Sequence, residues 1–243
     1  TSVTGNIQAG TAITLGADSN VVGNTESGTA TTLGAATKVR VNTSGGGGNV
    51  TYVTALTEGA SSEFVQAHPL TAKSSMTYFA SDVESRRCIL NNLSPSPKTN
   101  LNARMDVNTK LDPVTNSSYY SLKTLDSKNV YVYTLSSLTT GAGIKLELNA
   151  ALHYVFNIDD MLSLGAETEI VQCGSWNSTT GECVVATSPT GSVTWNVGGY
   201  ASVGEKAVLI GNVLAKGYIS TGVDSVMNGQ LHSETSYVTI GAS

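Results

Sequence analysis

Along much of the chain, short apolar and polar positions alternate and then stop at a glycine. Ile13-Thr14-Leu15-Gly16, Leu162-Ser163-Leu164-Gly165, Ala201-Ser202-Val203-Gly204, Ile219-Ser220-Thr221-Gly222 and Val238-Thr239-Ile240-Gly241 share this pattern. A period of two belongs to strands with one buried side. The runs also repeat at long range. Gly5–Val22 (GNIQAGTAITLGADSNVV) echoes in Gly23–Arg40 (GNTESGTATTLGAATKVR) with an 18-residue period. The same spacing separates Gly204 from Gly222, Tyr200 from Tyr218, Gly211 from Gly229 and Trp195 from Val213. Gly217–Gly229 aligns on Thr11–Gly23, and Leu164-Gly165-Ala166 matches Leu15-Gly16-Ala17. A repeat this short cannot bury its own apolar side, so copies must stack. The pattern predicts a mainly β protein, a β-solenoid of about 18-residue rungs with three short strands each.

Between the two repeat blocks the pattern breaks. Gly45–Gly48 reads as a flexible connection. From Pro69, Leu70, Met76, Phe79 and Val83 recur at helical spacing, which predicts one amphipathic helix over about 69–88 lying along the solenoid. Pro95 and Pro97 stop it. Strand-like alternation resumes by Tyr119 and continues through Val130–Tyr133 and Ile144–Leu148. The predicted organisation is one solenoid domain over 1–243, with first rungs at 1–44, an insertion at 45–116 and the remaining rungs at 117–243.

Alternation divides each rung into interior and display positions. Ile13 and Leu15, Thr31 and Leu33, Leu162 and Leu164, Ala201 and Val203, Ile219 and Thr221, Val238 and Ile240 form the interior set. Their neighbours Thr14, Thr32, Ser163, Ser202, Ser220 and Thr239 make an outward hydroxyl column, beside which stand Tyr200, Tyr218 and Tyr237. Asn6, Asn24, Thr194, Asn212 and Gln230 form an amide-rich column able to hydrogen-bond along the stack. Asp18, Lys38, Glu167, Glu169, Lys206 and Asp224 mark a third, charged face.

Composition narrows the function. Charged residues are 13% of the chain and the net charge is −5, against roughly a quarter charged in average domains. No basic patch points to nucleic acid, and no apolar run of the roughly 20 residues that span a bilayer occurs. The start at Thr1 without a leader fits a processed, secreted or cell-surface protein. Cys173 and Cys183 bracket a turn-rich stretch and suit a disulfide, leaving Cys88 as a buried thiol or an intersubunit bridge. Sequons at Asn42, Asn49, Asn92, Asn116 and Asn177 offer glycan acceptors.

Catalytic signatures are missing. His68, His153 and His232 lack metal-site spacing. Gly141-Ala142-Gly143 begins like a dinucleotide loop but has Leu146 at the third glycine position, and Gly45–Gly48 is not followed by a phosphate-binding lysine. Asp159 and Asp160, adjacent in a strand pattern, point to opposite sides. The sequence predicts no enzyme, no cofactor and no metal.

Tyr154–Ile158, Val193–Gly198, Ile210–Ala215 and Tyr237–Ile240 return to stacked rungs after the inserted helix. With the opening repeats, this arrangement resembles the ice-binding proteins with a discontinuous β-solenoid. The resemblance implies the β-helix-plus-helix fold and a flat ice-binding face. One departure is that the chain begins directly at a rung, where family members open with a further apolar stretch. That departure, with Tyr200, Tyr218 and Tyr237 interrupting the flattest face, leads to the primary expectation. It is a self-assembling extracellular structural subunit that stacks on copies of itself through open ends, with Tyr200, Tyr218, Tyr237, Asn6, Asn24 and Asn212 as contacts. The alternative is a monomer that binds an ice surface through the hydroxyl column.

Overall fold

The computed structural model describes residues 1–40, 49–52, 55–58, 60, 66–69, 73–94, 104–111 and 120–242. The Gly45–Gly48 run and the sequons at Asn42 and Asn116 lie outside them. Three sheets of 9, 10 and 9 strands form the three faces of a β-solenoid. Successive strands of one rung belong to different sheets, so nearly all pairing is parallel and joins one rung to the next. The predicted interior set is buried, Thr221 being the most accessible at 7%. On the second face the interior holds an aromatic stack, with Tyr133 and Phe156 centroids 5.1 Å apart and Phe156 and Trp195 centroids 4.3 Å apart. The Trp195 indole donates to the Ile210 carbonyl at 2.8 Å, which gives its polar atom a partner inside the apolar core.

The stacking order does not follow the chain. Ser2–Thr4 lies between Val226–Asn228 and Asn20–Val22, Ile7–Ala9 pairs with Leu231–Ser233, and Ile13–Leu15 pairs with Val238–Ile240. The N-terminal rungs therefore sit on the last C-terminal rung, and the end expected to be open is covered. Strands from the 45–116 stretch extend both sides. Asn49–Tyr52 and Ala55–Glu58 add to the N-terminal rungs, while Arg104–Met105 and Thr109–Leu111 add beyond Leu138–Thr140 and Lys145–Asn149. An antiparallel hairpin, Ser121–Leu125 with Lys128–Leu135, ends the second face, turning at Asp126 and Ser127 with φ of 49° and 63°. Such a hairpin blunts an edge that would otherwise present unpaired backbone.

The one helix among the described residues, α1, runs Lys73–Asn92 rather than 69–88. Pro69 instead closes the strand Gln66–Pro69, the outermost of the second face, where a missing N–H costs no ladder bond. α1 lies on the second face. Val83 and Leu90 join Val130, Val132, Val155 and Leu214 in an apolar cluster outside the solenoid core. Asn157 Nδ2 donates to the Leu90 carbonyl at 2.6 Å and Asn196 Nδ2 to Asn91 Oδ1 at 2.7 Å, so the sheet satisfies a carbonyl from the last turn of the helix. Arg87 and Glu234, 7% and 8% exposed, pair at 2.5 Å between helix and rung. Cys88 on α1 is exposed, not buried, and Cys173 is bonded to Cys183.

Candidate functional site: the hydroxyl face

On the third face, strand register places Thr139, Ser163, Ser202, Ser220, Thr239, Thr14 and Thr32 opposite one another in a single outward column. The six hydroxyl residues read from the sequence are thus contiguous despite being scattered over 1–243. Thr139 extends the column and was missed, although Leu138-Thr139-Thr140-Gly141 carries the same signature. Gly141-Ala142-Gly143, whose sequence only begins like a nucleotide loop, is the turn that closes this rung.

Two residues before the hydroxyl column run Ser137, Met161, Tyr200, Tyr218, Tyr237, Ala12 and Ala30, and two residues after it run Gly141, Gly165, Gly204, Gly222, Gly241, Gly16 and Gly34. The glycine column is imposed by the stack: a Cβ on Gly222 would lie 2.5 Å from the Glu205 amide nitrogen, and one on Gly16 2.6 Å from that of Ala242. Past Gly16, Gly34, Gly165, Gly204 and Gly222 the chain turns through a left-handed residue, Asp18, Ala36, Glu167, Lys206 or Asp224, with φ between 54° and 58°. Asp18, Glu167, Lys206 and Asp224 therefore occupy this corner, whereas Lys38 and Glu169 stand on the first face. The predicted charged face is not one surface. Hydroxyls just inside the corner bind its carbonyls, Ser225 to Gly222 at 2.9 Å and Thr168 to Gly141 at 3.1 Å.

The tyrosines are stacked in parallel, with centroids 4.8 Å apart for Tyr200 and Tyr218 and 5.4 Å for Tyr218 and Tyr237. They border the hydroxyl column on the same face, while α1 lies on the second. Tyr237 is 43% exposed. Desolvation, then the neighbouring Tyr200 and Tyr237, raises the Tyr218 pKa above its ordinary value. Tyr200 Oη donates to Met161 Sδ at 3.0 Å.

The other faces are less regular. The amide column holds at the edge of the second face, where Asn24 N donates to Asn6 Oδ1 at 2.9 Å and Gln230 N to Asn212 Oδ1 at 3.0 Å. Beside it α1 leaves a groove of about 410 Å³ that includes Arg86, Asp126, Thr194 and His232. The first face carries Lys145 paired with Glu169 at 2.9 Å, which raises the Lys145 pKa through that hydrogen bond. It also carries the disulfide-closed hairpin, with Lys110 over the Trp176 ring at 3.9 Å. Among the described residues, Glu147, Cys173 and Cys183 come close enough to share an ion, but the two cysteines are bonded to each other. Asp159 and Asp160 are both exposed. No helix is long and apolar enough to cross a membrane among the described residues.

A family model described as ice-binding-like matches residues 46–243. The chain is also similar to the solved structure of an ice-binding protein from the Antarctic ascomycete Antarctomyces psychrotrophicus, at 16% identity over 99% of this chain and 89% of that one, with a TM-score of 0.47. To a glycosylated ice-binding protein from an Arctic yeast it is 14% identical over 98% of this chain and 90% of that one, with a TM-score of 0.53, a likeness of fold. No curated protein sequence matches it. The expectation of a filament-forming structural subunit is overturned by this family match, and its premise of an open first rung fails because Ser2–Thr4 is paired on both sides. The match spans most of the chain, and the protein belongs to the ice-binding-like family.

Proposed function

We propose that this protein is a secreted, non-enzymatic ice binder that contacts ice through its third face. One observation carries the reading: seven hydroxyl side chains stand in register across consecutive strands, spaced at roughly 4.8 Å by backbone pairing. From Thr139 to Thr32 no outward position of this face is charged. A neutral column of evenly repeated donors and acceptors holds water at a fixed spacing, and ice is a solid that such a repeat can match. The second face is blocked by α1, and the first is broken by ion pairs and the hairpin. The Cys173–Cys183 bond suits an oxidising compartment.

The experiment is thermal hysteresis with ice-crystal shaping on two lysine variants. Thr239→Lys puts a long, strongly hydrated cation in the middle of the third face and abolishes most of the activity. Thr4→Lys, at an exposed position of the first face, leaves it intact. Full hysteresis in Thr239→Lys with unchanged circular dichroism rejects the assignment of this face.

A further inference from the structure

The third face is regular in its backbone but not in its side chains. Inside Thr139 at its outer end, the column over the C-terminal block is serine, Ser163, Ser202 and Ser220, beside Met161, Tyr200 and Tyr218. Where the C-terminal and N-terminal blocks meet it becomes threonine, Thr239, Thr14 and Thr32, and after Tyr237 the neighbouring column drops to Ala12 and Ala30. We propose that ice contact is concentrated on this threonine–alanine patch, Ala12, Thr14, Ala30, Thr32 and Thr239, with the tyrosine stack as its raised boundary. The inference rests on the third face being the ice-binding face.

Threonine is β-branched and stiff at χ1, so each rung fixes one hydroxyl and one methyl in place. Serine is not branched, and its hydroxyl is freer among the staggered wells. Part of the serine column is also self-engaged, Ser220 Oγ donating to Ser202 Oγ at 3.4 Å. Relief points the same way. Tyr200 and Tyr218 lie two residues along the chain from their serines, roughly 6.6 Å, and a ring at that position is a step in side-chain bulk beside the column. Ala12 and Ala30 impose no such step. The patch exists only because the N-terminal rungs dock on Val238–Ile240, and four of its five residues precede the family-matched span of 46–243. The ice-contacting surface is thus drawn largely from this chain's own opening repeat.

The test compares the same lysine at two places of one column. Thr14→Lys is expected to remove most of the thermal hysteresis, and Ser202→Lys to retain the larger part. Equal losses overturn the patch while leaving the face as the site; hysteresis unaffected by either rejects the face itself. In Tyr200→Ala/Tyr218→Ala/Tyr237→Ala, with folding checked by circular dichroism, activity holds or rises because the step is removed. A fall would place the phenols on ice and overturn the boundary role.

Discussion

At the scale of single residues, the third face depends on what the glycine column lacks. Parallel rungs can turn this corner at strand spacing only if no Cβ intrudes, and the backbone of the next rung lies where that atom would stand. Gly222→Ala therefore forces backbone to move and should destabilise by about 1–3 kcal/mol, as overpacking does. Gly174→Ala, whose nearest neighbour is the Ala186 Cβ at 3.6 Å, serves as the control and should melt close to the parent. Equal melting temperatures for the two would show that the corner tolerates a side chain. This same corner made the columns readable from sequence. An apolar-hydroxyl-apolar-Gly run fixes which side chain faces in, because the glycine anchors the register and the period of two does the rest. Thr139 is harder to read because its run, Leu138-Thr139-Thr140-Gly141, lies off the 18-residue period and lacks the Leu-Gly-Ala match that ties Leu162-Ser163-Leu164 to the opening repeat; its Thr140 Oγ1 pairs with Thr168 Oγ1 at 2.8 Å.

At the scale of elements, α1 was legible as an inserted helix but not in its bounds. Proline is as well suited to the first turn of a helix as to an outer strand, so Pro69 could not reveal which it closes. The helix is held by Val83 and Leu90 and by polar contacts that no local pattern announces: Asn157, Asn196 and the ion pair from Arg87 to Glu234. That pair is nearly buried, so removing one partner strands the other charge. Arg87→Leu is expected to cost about 3 kcal/mol, seen as a lower unfolding midpoint. Arg87→Leu/Glu234→Leu should recover most of it, since no buried charge then remains. If the single variant is as stable as the parent, the pair contributes nothing and the apolar cluster alone seats the helix.

At the scale of the whole molecule, an 18-residue period identifies a rung but not its neighbours. Rungs built on one template can stack in several orders, which is why sequence placed the first rung at an open end. The structure resolves the order through the chain termini. Thr1 occupies the inward corner position held by Ser19 and Ser225 in adjacent rungs: its Oγ1 donates to the Ala242 and Gly222 carbonyls at 2.8 and 3.1 Å, and its own carbonyl accepts from Asn20 N at 2.9 Å. Gly241 stands where Gly16 and Gly222 stand. One rung therefore brings Thr1 beside Gly241 and Ala242, and the buried Thr1 hydroxyl ties it to its neighbour. Thr1→Val keeps the branched shape and removes that hydroxyl, leaving two corner carbonyls without their donor. The loss should be about 1 kcal/mol, seen as a lower melting temperature with thermal hysteresis retained. An unchanged melting temperature would mean that the Thr1 hydroxyl does not hold the docked rungs together, and would leave the strand pairing of Ser2–Thr4 and Ile13–Leu15 as the support beneath the threonine patch.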